Sequence, residues 1–378
     1  MHCTPTRYMH YYSMYRGDPA LNSGENSTCA ARIHKYGFPL EVEDIKKPIV
    51  SSPEEVVVKV GAAGLCHSDL HLINGNWQKS LPLSLPKTPG HEIAGWVEET
   101  GTLVPKSIKK GDLVAVFGGW GCGFCFYCKR GDEQMCQAAK WPGLSDYDGG
   151  FSEYLLVPSY RFLIRVDEQT TFLKPEEIAP LTDAGLTPYR AIKKVRHFLG
   201  PNRNVAIIGI GGLGFYATQY ARILGSGATV VALDRSDDKL EMAKEVGGAD
   251  FSLNLTESEV KSKIRKITNG EGIDVVLDTV GLESTINLAV NILNKSGAIV
   301  VVGLFGKEIK TPLFQTVIQE YQIYGSLWGN YNELREVIEL AKKEKITHQI
   351  HKFPLSRVNQ AIDQLSAGNI EGRAVIIP

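Results

Sequence analysis

Four cysteines lie in one short stretch, Cys122, Cys125, Cys128 and Cys136, with C-x2-C-x2-C-x7-C spacing inside GCGFCFYCKRGDEQMC. Four thiolates on one loop match a closed tetrahedral zinc site with no position left for a substrate, so the spacing predicts a structural metal. A second, dispersed set offers chemistry. Cys66 in GLCHSDLH, His91 in PGHEIAG and Asp183 in APLTDAGLT supply three ligands, the number that leaves one coordination position of a zinc ion open. A metal held in that way is a Lewis acid, and the chemistry expected beside it is polarisation of an oxygen. The competing reading of Asp183 is a cap on a helical pattern that begins near Gly185.

A third constellation points to a dinucleotide. Gly209, Gly211 and Gly214 in IIGIGGLG follow a strand-like run and open a helical one. In that context the first glycine permits a tight turn, the second lets backbone approach a pyrophosphate, and the third allows close packing of helix on sheet. Gly212 and Leu213 complete the loop at the positive end of the helix. Asp234 closes the next strand, where a carboxylate accepts hydrogen bonds from ribose hydroxyls and repels a 2′-phosphate, which favours NAD. Arg235 follows directly, and a guanidinium there keeps NADP in view.

These groups need two kinds of scaffold. At 378 residues the chain exceeds the usual size of a single core, so two domains are expected. Residues 30–185 carry short alternating segments punctuated by Gly and Pro, EEVVVKVGAAG, EIAGWVEETG, GDLVAVFGG and FSEYLLVPS, which predict a β-rich catalytic domain with its metal ligands in loops and turns. Residues 186–328 alternate strand and helix: NVAIIG at 204–209, an amphipathic run at 213–224, TVVALD at 229–234, a helical stretch at 237–246, DVVLDT at 274–279 and AIVVVG at 298–303. That alternation predicts a doubly wound α/β domain. In 329–378 two helical stretches, YNELREVIELAKKEK and VNQAIDQLSAG, are expected to pack back on the first domain.

The net charge of −1 gives no electrostatic reason to expect nucleic acid. The four-cysteine block also lacks paired histidines and holds only Lys129 and Arg130 as cations, which argues against a nucleic-acid module. Apolar runs such as AIVVVGLFG at 298–306 are too short to cross a bilayer, so no membrane segment is expected. Residues 1–29 show no apolar periodicity and no continuous apolar core of a secretory signal, and read as a loosely ordered extension. Thiols clustered at metal-ligand spacing point to a reducing cytoplasm. Cys3 and Cys29 are left over, and a disulfide between them is the alternative.

Taken together and in this order, GLCHSDLH, PGHEIAG, the four-cysteine block, APLTDAGLTPYRA, GIGGLG and GSLWGNY resemble the zinc-dependent medium-chain alcohol dehydrogenases, in their archaeal and bacterial NAD-dependent form, over about residues 30–378. The resemblance implies a GroES-like catalytic domain with two zincs, one catalytic and one structural, followed by a Rossmann domain. It implies Cys66 and His91 as ligands of the catalytic zinc. The position aligned with the family's second cysteine ligand is Asp183 here, and a carboxylate is a legitimate zinc ligand of the same charge. Glu92 and Asp69 are candidates to receive the second ring nitrogen of His91, and Glu92 also to visit the metal.

By the same resemblance Ser68 accepts the alcohol proton, His71 delivers it to solvent, and His67 approaches the cofactor phosphates. Thr187, Gly303 and Leu304 are implied near the nicotinamide, and Trp77, Trp120, Leu304 and Trp328 near the substrate. Zinc lowers the pKa of bound water from about 15.7 to about 7, a shift on the order of 12 kcal/mol, and the same acidity would act on an alcohol. The reaction implied is reversible oxidation of primary and secondary alcohols by NAD to aldehydes and ketones. A zinc-dependent sugar or polyol dehydrogenase of the same fold is the alternative. Family members are homodimers or homotetramers, and GSLWGNY at 325–331 falls where an edge strand could cross a subunit boundary.

Overall fold

The computed structural model describes residues 27–166 and 172–378. Its strands fall into three groups along the chain. The first comprises β1 (Ser27–Arg32), β2 (Glu41–Lys46), β3 (Val56–Leu65), β4 (Glu92–Thr100), β5 (Leu113–Val116), β6 (Tyr154–Val157) and β7 (Leu163–Arg165). The second comprises β8 (Asn204–Ile208), β9 (Thr229–Asp234), β10 (Phe251–Asn254), β11 (Ile273–Asp278), β12 (Leu293–Val301) and β13 (Gln322–Gly325). Two more follow, β14 (Ile350–Pro354) and β15 (Arg373–Ile377).

The middle group forms one sheet in the order β10-β9-β8-β11-β12-β13, and each adjacent pair is parallel. Renumbered within the domain this is 3-2-1-4-5-6, the doubly wound order whose reversal point lies beside its first strand. All of β8 and β11 are buried. Helices cover both faces, which is why these strands read as unbroken β-branched runs instead of alternating ones. Ile207, Val230, Val275 and Val300 enter one core, and Ile208, Val231, Val276 and Ile299 the other.

The catalytic domain is built on the order β14-β15-β3-β4-β5-β7, with β6 also paired to β3. β15 runs antiparallel to β3, with Ala374 opposite Leu65. The end of the chain thus closes the sheet that carries Cys66. The helix Tyr331–Lys342 does otherwise: Leu334 and Ile338 pack in the catalytic core, while Val337 and Ala341 pack in the core of the cofactor domain. Its two apolar stripes make it a junction between the domains.

At the start of the chain, β1 begins at Ser27, and Cys29, Ala30 and Ala31 are buried, so the fold reaches into the predicted extension. Cys29 is disulfide-bonded. This favours pairing of the spare thiols; the other, Cys3, lies outside the described residues. Among the described residues no helix is long and apolar enough to cross a membrane.

Candidate metal and cofactor site

Cys66 directly follows β3 and caps the short helix His67–Ile73. Its backbone N–H donates to Asp69 Oδ2 at 2.9 Å, while Asp69 Oδ1 accepts the Gly90 N–H and His91 Nδ1, each at 3.2 Å. Asp69 is fully buried and staples the two ligand-bearing segments together. A carboxylate only accepts, so His91 Nδ1 carries a proton towards Asp69, and Nε2 is the nitrogen that a metal would take in place of its own proton. Nε2 lies 3.2 Å from Asp183 Oδ2, and Cys66 Sγ lies 3.8 Å from the same oxygen.

Asp183 occupies the break between the turn Ala179–Thr182 and the helix Leu186–Val195, whose cap position is Gly185. Its Oδ1 is not spent on a backbone amide as a cap would be; it accepts the Thr187 hydroxyl at 2.6 Å. Thr187, implied as a nicotinamide neighbour, thus aims the Asp183 carboxylate. On the other side of the break, Trp328 Nε1 donates to the Thr182 carbonyl at 2.7 Å, and its ring stands edge-on to His91.

Cys66, His91, Glu92 and Asp183 offer ligand atoms within 4.8 Å of one another. Around a tetrahedral zinc with bonds of about 2.0–2.3 Å, ligand pairs lie roughly 3.3 Å apart for N···O and 3.6 Å for S···O. The distances of 3.2 and 3.8 Å fit that geometry. Glu92 pairs through Oε1 with Arg373 and leaves Oε2 buried without a partner. Burial pushes its carboxyl up to about 7 despite the guanidinium. In the metal-free chain burial alone would depress His91, but the Asp69 and Asp183 carboxylates outweigh it and hold the ring well above its usual value. A divalent cation is the natural replacement for that proton.

The four-cysteine loop gathers its Sγ atoms in the same way, with Cys122 and Cys128 at 3.9 Å, close to the roughly 3.8 Å edge of a tetrahedral zinc thiolate site. Backbone N–H groups of Phe124 and Cys125 hold the Cys122 thiol down to about 6, a cradle already suited to a thiolate.

Ser68 Oγ lies 3.8 Å from Cys66 Sγ. His71 is stacked on Trp77 at 5.0 Å, and Asn76 Nδ2 donates to its Nδ1 at 3.1 Å. Burial keeps His71 below its ordinary pKa, and burial together with Arg373 pushes His67 down to about 4, so both rings are neutral at neutral pH. Phe305, from the loop after β12, stands edge-on to His67 and His71 at 5.3 Å each and closes an aromatic contact between the domains. Leu304 beside it is 62% exposed. Trp120 belongs elsewhere: its Nε1 donates to the Phe117 carbonyl and its ring stacks on Phe162 in the catalytic core.

At the glycine loop, Gly209 has φ +87°, and a Cβ on Gly214 would lie 1.8 Å from the Gly209 carbonyl oxygen. The turn and the close packing therefore both demand glycine. Gly211 has open space where its Cβ would be, and Gly212 and Leu213 begin the helix that follows. A Cβ on Gly303 would lie 2.1 Å from the Val280 carbonyl carbon, which seats the loop after β12 against the loop after β11. Asp234 accepts N–H groups from Ile210 (2.6 Å), Arg235 (2.7 Å) and Ser236 (3.0 Å), so it also ties the loop after β8 to its own strand end. Arg373, absent from the sequence expectations, reaches from β15 to within 2.4 Å of where a Gly212 Cβ would be while it pairs with Glu92.

Residues 52–168 match the alcohol dehydrogenase GroES-like domain, and residues 212–343 match the zinc-binding dehydrogenase family. An NAD-dependent alcohol dehydrogenase of Sulfurisphaera tokodaii is 39% identical over 356 residues, covering 92% of this chain and 99% of that protein. The D-arabinose 1-dehydrogenase (NADP(+)) of Saccharolobus solfataricus is 37% identical, covering 92% of this chain and 97% of that protein. Among solved structures, the alcohol dehydrogenase of Aeropyrum pernix superposes with a TM-score of 0.87 at 36% identity, covering 93% of this chain and 100% of that one.

Proposed function

The chain belongs to the zinc-binding dehydrogenases with an alcohol dehydrogenase GroES-like domain, and from that membership we propose that it interconverts primary or secondary alcohols with aldehydes or ketones, using NAD and a zinc held by Cys66, His91 and Asp183. The observation that carries this reading is the convergence of a thiol, an imidazole and a carboxylate at zinc-ligand spacing. When bound, the zinc supplies Lewis acidity that makes a substrate hydroxyl far easier to deprotonate. When bound, NAD supplies the acceptor for a hydride.

The chain's own residues do the rest. Asp69 fixes the His91 tautomer, Thr187 aims the Asp183 carboxylate, and Glu92 is held back by Arg373. Ser68 takes the hydroxyl proton and passes it towards His71, which delivers it to solvent. Because Asn76 occupies His71 Nδ1, passage through the ring requires that hydrogen bond to exchange for the incoming proton. Gly209, Gly211, Gly212, Leu213 and Gly214 receive the pyrophosphate, and Asp234 the ribose. The aromatic contact of His71, Trp77 and Phe305 favours apolar substrates.

Elemental analysis of the purified protein, with NAD reduction by primary, secondary and sugar alcohols, tests this reading. Two zincs per chain and turnover of simple alcohols are expected; a metal-free or inactive protein contradicts it. The D-arabinose relative supports a second reading, a sugar dehydrogenase, for which Arg235 beside Asp234 would favour NADP. Faster turnover of aldoses with NADP than of simple alcohols with NAD would select it.

The assembly is a homodimer or homotetramer. What supports this is β13, the edge of its sheet with no strand beyond it among the described residues, which carries exposed Ile323 and follows a helix with exposed Leu313, Phe314, Val317 and Ile318. Light scattering of Ile323→Lys is expected to show a smaller particle than the unaltered protein; an unchanged mass places the contact elsewhere. The protein is cytoplasmic, a reading supported by its metal-spaced thiols and opposed by the Cys29 disulfide. Cell fractionation decides between them.

A further inference from the structure

A second ionic cluster lies away from Cys66, His91 and Asp183, where the two domains meet. Arg190, on the helix Leu186–Val195, donates from one guanidinium nitrogen to Asp132 Oδ1 at 3.0 Å and from the other to Glu333 Oε2 at 2.8 Å. The Arg190, Asp132 and Glu333 side chains are only 11, 12 and 10% exposed. Asp132 lies inside the four-cysteine loop, between Cys128 and Cys136, and its second oxygen accepts from Arg130 at 2.7 Å. Glu333 sits in the first turn of the junction helix Tyr331–Lys342, where Oε2 also accepts the Asn330 N–H at 2.9 Å. One guanidinium therefore ties the four-cysteine loop to both helices between the domains.

The helix that carries Arg190 also carries Thr187, three residues earlier, whose hydroxyl holds Asp183 Oδ1. On its other side Asp183 follows Thr182, which is anchored to the catalytic domain by the Ile93 N–H at 3.2 Å and by Trp328 Nε1 at 2.7 Å. Asp183 thus hangs between one fixed turn and one helix, and the seat of that helix decides where its carboxylate points. The Arg190 clamp on that seat is the most buried of its ion pairs, and charge-assisted hydrogen bonds gain strength where water is excluded.

We propose that Arg190 is a positioning residue that makes the four-cysteine loop a strut for the catalytic metal, setting the aim of Asp183 through Asp132 and the interdomain helix. This rests on the reading that Cys66, His91 and Asp183 hold a zinc. The structural metal then has a second role besides stiffening its own loop: it fixes Asp132, and through Arg190 it defines one corner of a metal centre to which it contributes no ligand.

The test uses the full-length protein loaded with both metals and the variants Arg190→Gln, Arg190→Lys and Lys193→Gln. Lys193 lies on the same helix but pairs with the half-exposed Glu336, and serves as control. The readouts are zinc per chain, the half-life of the more labile metal against a chelator, and the d–d absorption of Co²⁺ put in its place. Arg190→Gln is expected to bind two metals, lose the labile one about tenfold faster and shift the cobalt band. Arg190→Lys, which lacks the two-armed reach, should fall between it and the unaltered protein, and it carries the test alone if the glutamine variant does not fold. Lys193→Gln should behave as the unaltered protein. Unchanged half-life and cobalt band in the Arg190 variants would overturn the proposal, as would an equal change in Lys193→Gln. Unaltered protein that binds a single metal would instead bring down the metal assignment beneath it.

Discussion

The two metal sites of the catalytic domain are assembled in opposite ways. Cys122 and Cys136 are 14 positions apart on one loop, whereas Cys66 and Asp183 are 117 apart and meet only because β3, β4 and the interdomain helix converge. The loop site draws its preorganisation from its own backbone amides. The dispersed site draws it from a layer of side chains, Asp69 behind His91, Thr187 behind Asp183 and Arg373 behind Glu92. A local site can stabilise a fold; a dispersed one depends on the fold, and with the proposed ligands Cys66, His91 and Asp183 it would keep a coordination position to spare.

The contrast breaks most sharply at Asp183. Asp183→Ala should leave one zinc per chain and lower kcat/KM by about three orders of magnitude or more, since several kcal/mol of Lewis-acid assistance go with the metal. Retention of two zincs and full activity would remove Asp183 from the ligand set. Ser68→Ala should lower kcat by about a hundredfold with zinc content unchanged, because it touches the proton and not the metal; steady-state kinetics beside metal analysis separates the two. Asp69→Asn should weaken the dispersed site by about ten- to a hundredfold in a zinc competition titration while the four-cysteine loop stays loaded. Equal weakening of both sites would show that Asp69 supports the domain at large. Cys125→Ser should have the smallest effect on turnover: the loop zinc is lost, calorimetry shows a lower melting temperature, and activity at moderate temperature falls by about tenfold or less as the strut through Asp132 and Arg190 slackens.

The parts of this molecule that could be read from sequence are those whose information is local. The runs at 204–209 and 229–234 became β8 and β9 nearly to the residue, because strands covered on both faces must be continuously apolar. The four cysteines and the glycine loop announce themselves by spacing. β12 begins at Leu293, five residues before the apolar run AIVVVG, because Asn294, Lys295 and Ser296 near its start are polar and half or fully exposed. The edge strand expected at GSLWGNY, 325–331, lies just before it: β13 covers QIYG at 322–325, short and exposed as suits an edge with one neighbour, and residues 326–330 are not strand. Arg373 was invisible because nothing near residue 373 marks it as a partner of Glu92, 281 positions away. Thr187 and Arg190 lie within the APLTDAGLTPYRA motif, but their partners Asp183 and Asp132 are set by helix geometry and by domain packing respectively.

Anomalous diffraction at the zinc edge, from crystals of the protein grown with NAD, tests the central claim most directly. Two peaks per chain are predicted, one among the four cysteines and one within about 2.0–2.3 Å of Cys66 Sγ, His91 Nε2 and an Asp183 carboxylate oxygen. A single peak in the four-cysteine loop, or a second peak whose coordination sphere leaves out Asp183, would contradict it.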